Sequence, residues 1–523
     1  CSVLQSLEPT TKADCEGLAL FTSDALARRD YAPSAGIAPH VARQVVRAYV
    51  RTASIRTTLR ATLQRFAMQT LQQHLRELQG RQVEDAALVV LDNTSGEVLA
   101  WVGSSGSLSD AAEVDGVTAL RQPGSTLKPF LYAQAIADRR MTAASLLDDS
   151  DTQIQTSGGL YIPQNYDRHF KGWVSARTAL AASLNVPAVR TLVMVSPDAF
   201  FKQLVKLGLP LKESGDYYGY SLALGSAEVS LLNLTNAYRA LGNGGRTSPT
   251  TVRPEPVEGL RNSKASTGSA RTGVQALDAR AAFIIGDVLS DPLARARTFG
   301  TDSVLATRYW TAVKTGTSKD MRDNWAVGWS ARYTVGVWVG NANGAPMWDV
   351  SGTTGAAPIW AAVMNYLHAH QPSRAPKPPA GVVQAGVLFA NTSGSTEAGR
   401  SEWFIAGTQQ SAFAMDSGAA HALTAGATGQ KGLKIARITA PTNGTIIALD
   451  PDIPPNRQRL LFEATGVNLR WVMDGKVFAK GASAQWLPWP GRHVVRITSE
   501  RGEVLDEIRL EVRGAGAKSR APQ

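Results

Sequence analysis

The chain has 523 residues, of which 44% are hydrophobic and 19% are charged, and 54 Lys and Arg against 43 Asp and Glu give a formal net charge of +11. This composition is too apolar for a disordered chain, and the length is enough for about two to four domains. No segment reaches the roughly 20 apolar residues of a membrane-spanning helix, and the positive charge is spread out, unlike the clustered stripe of a nucleic-acid-binding protein.

The first 84 residues show one clear pattern. Helix-spaced apolar residues between Arg43 and Leu78 predict one long helix with a basic, solvated face. The chain begins with Cys1 instead of Met, so we expect the sequence to be a piece of a longer protein. Its two cysteines, Cys1 and Cys15, could form one disulfide bridge, and neither they nor the seven scattered histidines have the spacing of a metal site.

From Ala86 onwards the pattern changes to short strands and helices. Apolar runs on either side of an Asn-Thr-Ser-Gly turn predict a β-hairpin over Ala87–Gly103. Helices are predicted at Ser125–Arg139, Ala176–Leu184, Pro197–Leu207, Ala227–Leu241 and Ala279–Leu289. Three strands are predicted at Thr311–Thr317, Asn324–Ser330 and Tyr333–Gly340.

One segment inside this region has a different composition. Residues Arg253–Gly273 are rich in Pro, Gly, Ser and charge and contain almost nothing to bury, which predicts a disordered insertion in a surface loop. Long surface insertions cost little closure entropy, so the surrounding domain can tolerate it.

The last part of the chain predicts a small β domain. A linker rich in Pro, Ala and Gly at Pro372–Gly381 precedes an irregular stretch that ends near Gly432. From Ile435 to Val512, short alternating strands with an Asp474-Gly475 turn predict a β-sandwich. Its core is predicted to contain Trp471, Trp486 and Trp489.

Three short motifs carry the candidate chemistry. In chain order they are Ser125-Thr126-Leu127-Lys128, Ser183-Leu184-Asn185 and Lys314-Thr315-Gly316-Thr317. The first two are each expected about once by chance in a chain of this length, whereas the third is expected in roughly one chain in a hundred. Their contexts strengthen them, because the first opens a predicted helix, the second ends a helix-loop segment and the third lies on an apolar strand. An unpaired buried lysine is costly, so Lys314 is hard to explain by structure alone.

The spacing of Ser125 and Lys128 is that of a nucleophile and its base. Residues i and i+3 of a helix share one face, so the amine can reach the hydroxyl. Serine needs a base to take its proton, and burial together with the second cation, Lys314, would lower the pKa of Lys128 enough to free its lone pair. The sequence therefore predicts Lys128 as the general base for acylation. Backbone N–H groups at a helix start also face developing negative charge, which would favour the same reaction.

These motifs resemble the S-x-x-K, S-D-N and K-T-G set of the penicilloyl serine transferases, with Leu184 in place of the middle Asp. The stretches RQPGSTLKPF, YIPQNYD, RTALAASLNVPAV, GSAEVSLLNLTNAY and KTGTS resemble the transpeptidase domain of class A penicillin-binding proteins. The tail, with APTNGTIIALDPDIPP and WLPWPGRH, resembles the C-terminal domain of the 1C type of that family. The resemblance covers about residues 40 to 513 apart from the insertion.

The resemblance implies an α+β penicillin-binding transpeptidase fold, with an antiparallel sheet between helical layers, an all-helical subdomain and a small C-terminal β-sandwich. The expected divisions are a lead-in at 1–84, a transpeptidase domain at 85–372 with the insertion at 253–273, a linker at 373–432, the sandwich at 433–513 and a disordered tail at 514–523.

The resemblance also implies a function, a serine-type D-Ala-D-Ala transpeptidase that cross-links peptidoglycan stem peptides through a Ser125 acyl-enzyme and is acylated by β-lactams. Ser183 would relay a proton to the leaving amine, and Asn185 would bind a substrate amide. The remaining site residues would be Lys314, Thr315 and Thr317 for the terminal carboxylate, Gly316 for room beside the substrate backbone, and the N–H groups of Ser125 and Thr317 for the oxyanion hole. No cofactor and no metal is implied.

The expected partners are stem peptides, β-lactams and a possible envelope protein bound through the C-terminal domain, and nucleic acid is not expected. The expected location is the periplasm of a Gram-negative bacterium, at the inner membrane in the full-length parent. The glycosyltransferase motifs of the family, E-D-x-x-F and G-x-S-T-I-T-x-Q, are absent, so glycosyl transfer is expected to be absent here and the membrane anchor is expected only in the full-length parent.

Two alternative functions stay open. One is a carboxypeptidase or β-lactamase-like hydrolase of the same fold, and the other is a non-catalytic module that binds peptide or antibiotic.

Overall fold

A computed structural model describes residues 15–27, 36–48, 54–252, 273–414 and 436–513, except 153, 157–158, 301, 391–396, 442–444, 449–459, 467–468, 490 and 501. The chain separates into two compact units, one formed by Cys1–Val387 with Arg400–Gln410 and the other by Leu388–Gly399 with Ser411–Gln523. The insertion predicted at 253–273, the tail at 514–523 and the Cys1–Cys15 bridge lie wholly or partly outside the described residues.

The first unit is built from helices around one central sheet. The helices are α1 (Cys15–Ala27), α2 (Pro39–Ala48), α3 (Ala61–Glu77), α4 (Lys128–Ala137), α5 (Ala176–Ala181), α6 (Asn185–Val195), α7 (Pro197–Lys206), α8 (Gly215–Tyr218), α9 (Leu231–Gly242), α10 (Ala279–Ser290), α11 (Pro292–Phe299) and α12 (Ala356–His368). None of these helices is long and apolar enough to cross a membrane within the described ranges.

The strands up to residue 405 are β1 (Asp85–Asp92), β2 (Val98–Val102), β3 (Leu146–Asp149), β4 (Ile154–Thr156), β5 (Gly159–Tyr161), β6 (Gly172–Ser175), β7 (Arg246–Thr247), β8 (Val274–Gln275), β9 (Ala312–Thr317), β10 (Asp323–Trp329), β11 (Tyr333–Gly340), β12 (Val382–Ala390) and β13 (Arg400–Ile405). The central sheet has the order β2-β1-β11-β10-β9 and is antiparallel throughout. The predicted hairpin and the three predicted strands near the Lys314 motif are therefore confirmed.

Both faces of this sheet are buried. Successive side chains of a strand point to opposite faces, and in β1 the residues Ala87, Val89 and Leu91 enter one hydrophobic cluster while Ala86, Leu88 and Val90 enter another. Residues of α4, α6, α9 and α10 share the first cluster, and residues of α3 and α12 share the second. The predicted sheet between helical layers is confirmed. The subdomain expected to be all-helical is mainly helical, and it also contains the short strand pairs β3–β6 and β4–β5.

The long helix predicted between Arg43 and Leu78 is wrong, because the structure has two helices there, α2 and α3. The segment before α3 is held extended against strand β2 instead. The Thr58 hydroxyl donates to Val98 O at 2.7 Å and the Arg60 N–H donates to Leu99 O at 2.9 Å. Apolar spacing alone does not reveal this pairing, which replaces the hydrogen bonds of a helix.

The helix predicted from Ser125 begins three residues later than expected. Residues Gly124–Leu127 form one 3-10 turn, and the α-helix α4 starts at Lys128 with Pro129 in its first turn, where the missing N–H has no cost. The predicted helix Ala176–Leu184 also ends early, at Ala181, and a helix that the sequence did not predict, α6, begins at Asn185.

Among the residues of the second unit that the structure describes, two sheets share one core. Its strands are β14 (Ala412–Ala414), β15 (Arg437–Ala440), β16 (Thr445–Ala448), β17 (Leu460–Thr465), β18 (Arg470–Met473), β19 (Lys476–Lys480), β20 (Ser483–Trp486), β21 (Gly491–Thr498) and β22 (Val504–Arg513). One sheet has the order β15-β17-β20 and the other has the order β16-β22-β21-β18-β19. The predicted turn joins β18 to β19 with a positive φ at both Asp474 and Gly475, as a tight hairpin requires.

The tryptophans of this unit differ in burial. Trp471 and Trp486 belong to the shared core, as predicted. Trp489 is 51% exposed, so its assignment to the core is wrong. It packs edge-on against Trp486 and His493 at the rim of the core.

A buried ion pair ties strand β13 to helix α5 in the first unit. Arg177, in α5, donates through Nε and Nη2 to the two carboxylate oxygens of Glu402 at 2.8 and 2.5 Å. Glu402 is fully buried, and Arg177 is 5% exposed. Two half-exposed carboxylates, Asp287 and Asp291, also pair with the guanidinium. Helix α5 leads directly into the Ser183 motif, so this pair holds the entry to that motif.

We expect Glu402→Gln to destabilise the first unit by about 3–5 kcal/mol, because the change leaves a buried guanidinium without its bidentate partner. Asp287→Asn is the matched control. It removes a more exposed carboxylate from the same arginine and should cost about 1 kcal/mol or less. Differential scanning calorimetry of the full chain measures both changes, and equal shifts of the unfolding midpoint would contradict a special role for Glu402.

Candidate active site

Ser125 lies on the 3-10 turn that packs directly against the edge strand β9. Gly124, at φ +55°, faces Thr317 so closely that a Cβ there would lie 2.6 Å from the Thr317 carbonyl oxygen. A Cβ on Gly316 would lie 2.4 Å from the carbonyl oxygen of Pro123. Only glycine permits such an approach of two backbones. The first and third sequence motifs are thereby brought together.

Lys128 is fully buried, and its side chain is held by the second motif. Its Nζ donates to Ser183 O at 2.7 Å, to Leu184 O at 3.0 Å and to Asn185 Oδ1 at 2.7 Å. Burial and the positive charge of Lys314 lower the pKa of Lys128 well below its ordinary value, although the charge of Asp149 partly opposes them. The Ser125 hydroxyl has no hydrogen-bond partner among the described residues. Hydrogen bonds between nucleophile and base often tighten only when substrate is bound.

Lys314 is the second buried lysine, and it contacts the same motif from β9. Its Nζ donates to the Ser183 hydroxyl at 2.7 Å and to Thr315 O at 2.9 Å. Burial, and next the charge of Arg295, lower the pKa of Lys314 to about 7. Both lysines therefore bind Ser183, Lys128 at its carbonyl oxygen and Lys314 at its hydroxyl.

Ser183 has a backbone conformation that is unusual for serine. Its φ is +62°, in the left-handed region, which typically costs about 1–3 kcal/mol for a residue other than glycine. The hydrogen bonds from both lysines hold it there. Such strain is concentrated at functional sites, where the surrounding structure can impose it.

The middle motif departs from its family pattern at Leu184 without loss of contact to Lys128. The Leu184 side chain is buried in the hydrophobic cluster beside α4, and only its main-chain oxygen accepts from the lysine. The remaining contacts of Lys128 come from Ser183 O and the Asn185 side chain, which the departure retains.

Residues Thr315, Gly316 and Thr317 line the outer edge of the sheet. Strand β9 is the last strand in the order, so its far side has no neighbouring strand of that sheet. The Thr317 hydroxyl accepts from the Gly352 N–H at 3.0 Å, and Thr315 is buried. An edge strand of this kind can pair with an extended peptide.

Three residues near the site were not assigned a role from the sequence. Arg295, in α11, is buried and acts on Lys314 through its charge. Asp149, at the end of β3, and Asn165 form a buried pair behind Asn185. Asn165 lies within the YIPQNYD stretch, but the other two carry no motif by which they could have been found.

Known families match both units of the chain. The penicillin binding protein transpeptidase domain matches residues 86–365, and the Penicillin-Binding Protein C-terminus Family matches residues 425–510. Penicillin-binding protein 1C of Escherichia coli (strain K12) is 35% identical over 341 residues, which make up 64% of this chain and 41% of that protein. The chain therefore spans less than half of the length of that relative.

Solved structures show the same fold. Penicillin-Binding Protein 1A from Haemophilus influenzae matches with a TM-score of 0.52 at 25% identity, over 62% of this chain and 54% of that chain. The PonA1 protein from Mycobacterium tuberculosis, solved in complex with penicillin V, matches with a TM-score of 0.53 at 22% identity, over 65% of this chain and 94% of that chain.

Proposed function

Because the chain belongs to the penicillin-binding protein transpeptidase family, we propose that it is a serine-type D-Ala-D-Ala transpeptidase that cross-links peptidoglycan stem peptides. The observation that carries the proposal is that the turn bearing Ser125 packs against β9, while two buried lysines of lowered pKa, Lys128 and Lys314, both bind Ser183. After losing its proton, Lys128 would keep two N–H donors for its three partners and gain a lone pair that can activate a serine as a nucleophile.

In the proposed first step, Ser125 Oγ attacks the carbonyl carbon of the penultimate D-Ala residue, and Lys128 Nζ takes the hydroxyl proton. The negative charge on the carbonyl oxygen of the tetrahedral intermediate is held by the N–H groups of Ser125 and Thr317, and one such donor typically contributes about 3 kcal/mol. Collapse breaks the peptide bond, and the terminal D-Ala leaves with a proton relayed through the Ser183 hydroxyl.

In the second step, an amine of another stem peptide attacks the ester on Ser125, forming the new amide and returning the proton to the serine. Lys314, Thr315 and Thr317 would bind the terminal carboxylate of the donor, Gly316 leaves room for its backbone, and Asn185 would bind a substrate amide. A β-lactam follows the first step only, because its leaving nitrogen stays attached to the acyl group.

A fluorescent penicillin tests this proposal on the full chain. Peptide mass spectrometry should find the mass of one intact penicillin on the peptide that contains Ser125, and the adduct should persist. An adduct that is released within minutes would favour the hydrolase alternative. No adduct, or an adduct elsewhere, would overturn the proposal.

We expect the second-order rate constant of this acylation to fall as pH rises through about 7, because Lys314 then loses the charge that would hold the β-lactam carboxylate. The charge of Arg295 lowers the pKa of Lys314, so Arg295→Met should move this falling limb to higher pH. Arg297→Met, an exposed change on the same helix, is the control. A limb that does not move in the Arg295 variant would contradict the assignment.

Substrate chemistry also bears on location and organisation. Peptidoglycan lies outside the cytoplasm, so we propose action in the periplasm of a Gram-negative bacterium, where a net charge of +11 suits an anionic envelope.

The two family matches support a transpeptidase domain at 85–372 and a C-terminal domain at 433–513. We propose that an envelope protein binds this C-terminal domain.

A further inference from the structure

A chain of hydrogen bonds through Asn165 and Asn185 connects a buried carboxylate to Lys128, entering Asn185 at its backbone N–H and leaving from its side-chain oxygen. The Asn165 side-chain Nδ2 donates to both oxygens of Asp149, at 2.9 and 2.8 Å. The Asn165 Oδ1 accepts from the Asn185 N–H at 2.8 Å, and the Asn185 Oδ1 accepts from Lys128 Nζ at 2.7 Å. Asp149 is fully buried and Asn165 is 5% exposed, so water does not compete for these bonds.

Each amide in this chain has only one orientation that satisfies its neighbours. An ionised carboxylate only accepts hydrogen bonds, so Asp149 requires the NH₂ end of Asn165 to face it. The oxygen of Asn165 is then left to face the N–H that opens helix α6. The Asn185 Nδ2 donates to Gln164 O at 2.8 Å, so its oxygen faces Lys128. Asp149 thus fixes the orientation of Asn165, which anchors the backbone of Asn185, while Gln164 O fixes the orientation of the Asn185 side chain that meets the lysine.

We propose that Asp149 and Asn165 are positioning residues for acylation of Ser125. They anchor the N–H of Asn185, so that its side-chain oxygen Oδ1 holds the Lys128 amine in place. The inference rests on the proposed acyl-enzyme function and adds residues that lie outside the three motifs. Neither residue touches Ser125, so their effect passes through Asn185 and Lys128.

The charge of Asp149 has a second effect, on protonation. The ionisable groups around Asp149 are Lys128 and Tyr132 from α4, Lys171 from the loop before β6, and Asp148 from β3 itself. Asp149 raises the pKa of Lys128, whereas burial and Lys314 lower it. Removing the charge of Asp149 should therefore lower the pKa of Lys128 further and leave the amine unprotonated at lower pH.

The test compares two variants and one control variant of the full chain by their rates of labelling with fluorescent penicillin across pH. The rate should rise with pH as Lys128 loses its proton, and this part of the profile is the rising limb. Asp149→Asn should slow acylation about 10- to 100-fold, because small displacements of a catalytic group have effects of this size. It should also move the rising limb to lower pH. Asn165→Ala should slow it comparably, with a smaller movement of the limb, because Asp149 keeps its charge. A purely structural role would not move the limb.

Asp148→Asn is the matched control. Asp148 is the neighbour of Asp149 on β3, but its carboxylate pairs with Arg190 at 3.0 Å and has no bond to the chain that leads to Lys128. This variant should be acylated at the wild-type rate, and the rising limb of its pH profile should lie at the same pH as in the wild type. Circular dichroism checks folding, and Asn165→Ala retains the bond from the Lys171 N–H to Asp149, so it serves if Asp149→Asn does not fold.

The outcomes separate this inference from the function on which it rests. If the wild type is labelled at Ser125 and both variants label at its rate with an unmoved limb, the positioning role is overturned while the proposed function stands. If the wild type is not labelled, the proposed function fails and the inference fails with it.

Discussion

Ser125→Ala should abolish covalent labelling by penicillin, because Ser125 is the proposed nucleophile and the nearby Ser183 hydroxyl is already bound by Lys314. The methyl group of alanine cannot form an ester, and the change removes only one oxygen atom from a partly exposed position. Labelling measured by gel fluorescence should fall to background, while the thermal unfolding midpoint stays close to that of the wild type.

Ser221→Ala is the matched control for this experiment. Ser221 is also partly buried, and its hydroxyl is engaged with Tyr218 O and Ser226 Oγ within its own turn. This variant should label at the wild-type rate. Residual labelling of the Ser125 variant at a stoichiometric level would show that another nucleophile reacts, and it would rule out the acyl-enzyme proposed here.

Lys128→Met should slow acylation by at least about 100-fold, because a positioned general base contributes roughly 10²–10⁴ to a rate. Methionine has nearly the length of lysine and no basic nitrogen. The change also leaves Ser183 O, Leu184 O and Asn185 Oδ1 without their shared donor. The measurement is the rate of adduct formation under saturating penicillin.

Lys128→Arg separates the base from its charge. Arginine keeps a cation and several N–H donors at the site, but it does not give up its proton at any pH at which the protein is folded. If Lys128 acts as a base, the arginine variant should be as slow as the methionine variant. A rate close to that of the wild type would mean that the positive charge alone is sufficient, and calorimetry would show whether the larger side chain is accommodated.

Parts of the site could be predicted from the sequence where one side chain differs from its neighbours in polarity or stands at a recognisable turn. Lys314 interrupts an apolar strand, and the Ser125 motif stands at a Pro-Gly turn, so both are recognisable from their immediate neighbours in the chain. The central sheet could likewise be predicted because its strands are apolar runs with turns between them. In each case the information is local, within a few residues.

The rest depends on contacts between distant segments. The extended stretch at Thr58 follows from pairing with β2, and the early end of α5 accompanies the positive φ of Ser183, held by Lys128 and Lys314. Asp149 and Arg177 are ordinary charged residues in the sequence. Their importance comes from burial beside one particular partner, which neither spacing nor composition reveals.

The ion pair between Arg177 and Glu402 bears on where this chain can be cut for experiments. The family match ends at residue 365, yet the fully buried carboxylate that binds Arg177 through two oxygens belongs to residue 402. A fragment that stops at the family boundary would keep Asp287 and Asp291 beside Arg177 but lose its buried bidentate partner, directly before the loop that both lysines hold. The smallest useful fragment therefore ends after β13, at about residue 410, and fragments chosen from the family boundary alone are expected to give misleadingly weak antibiotic binding.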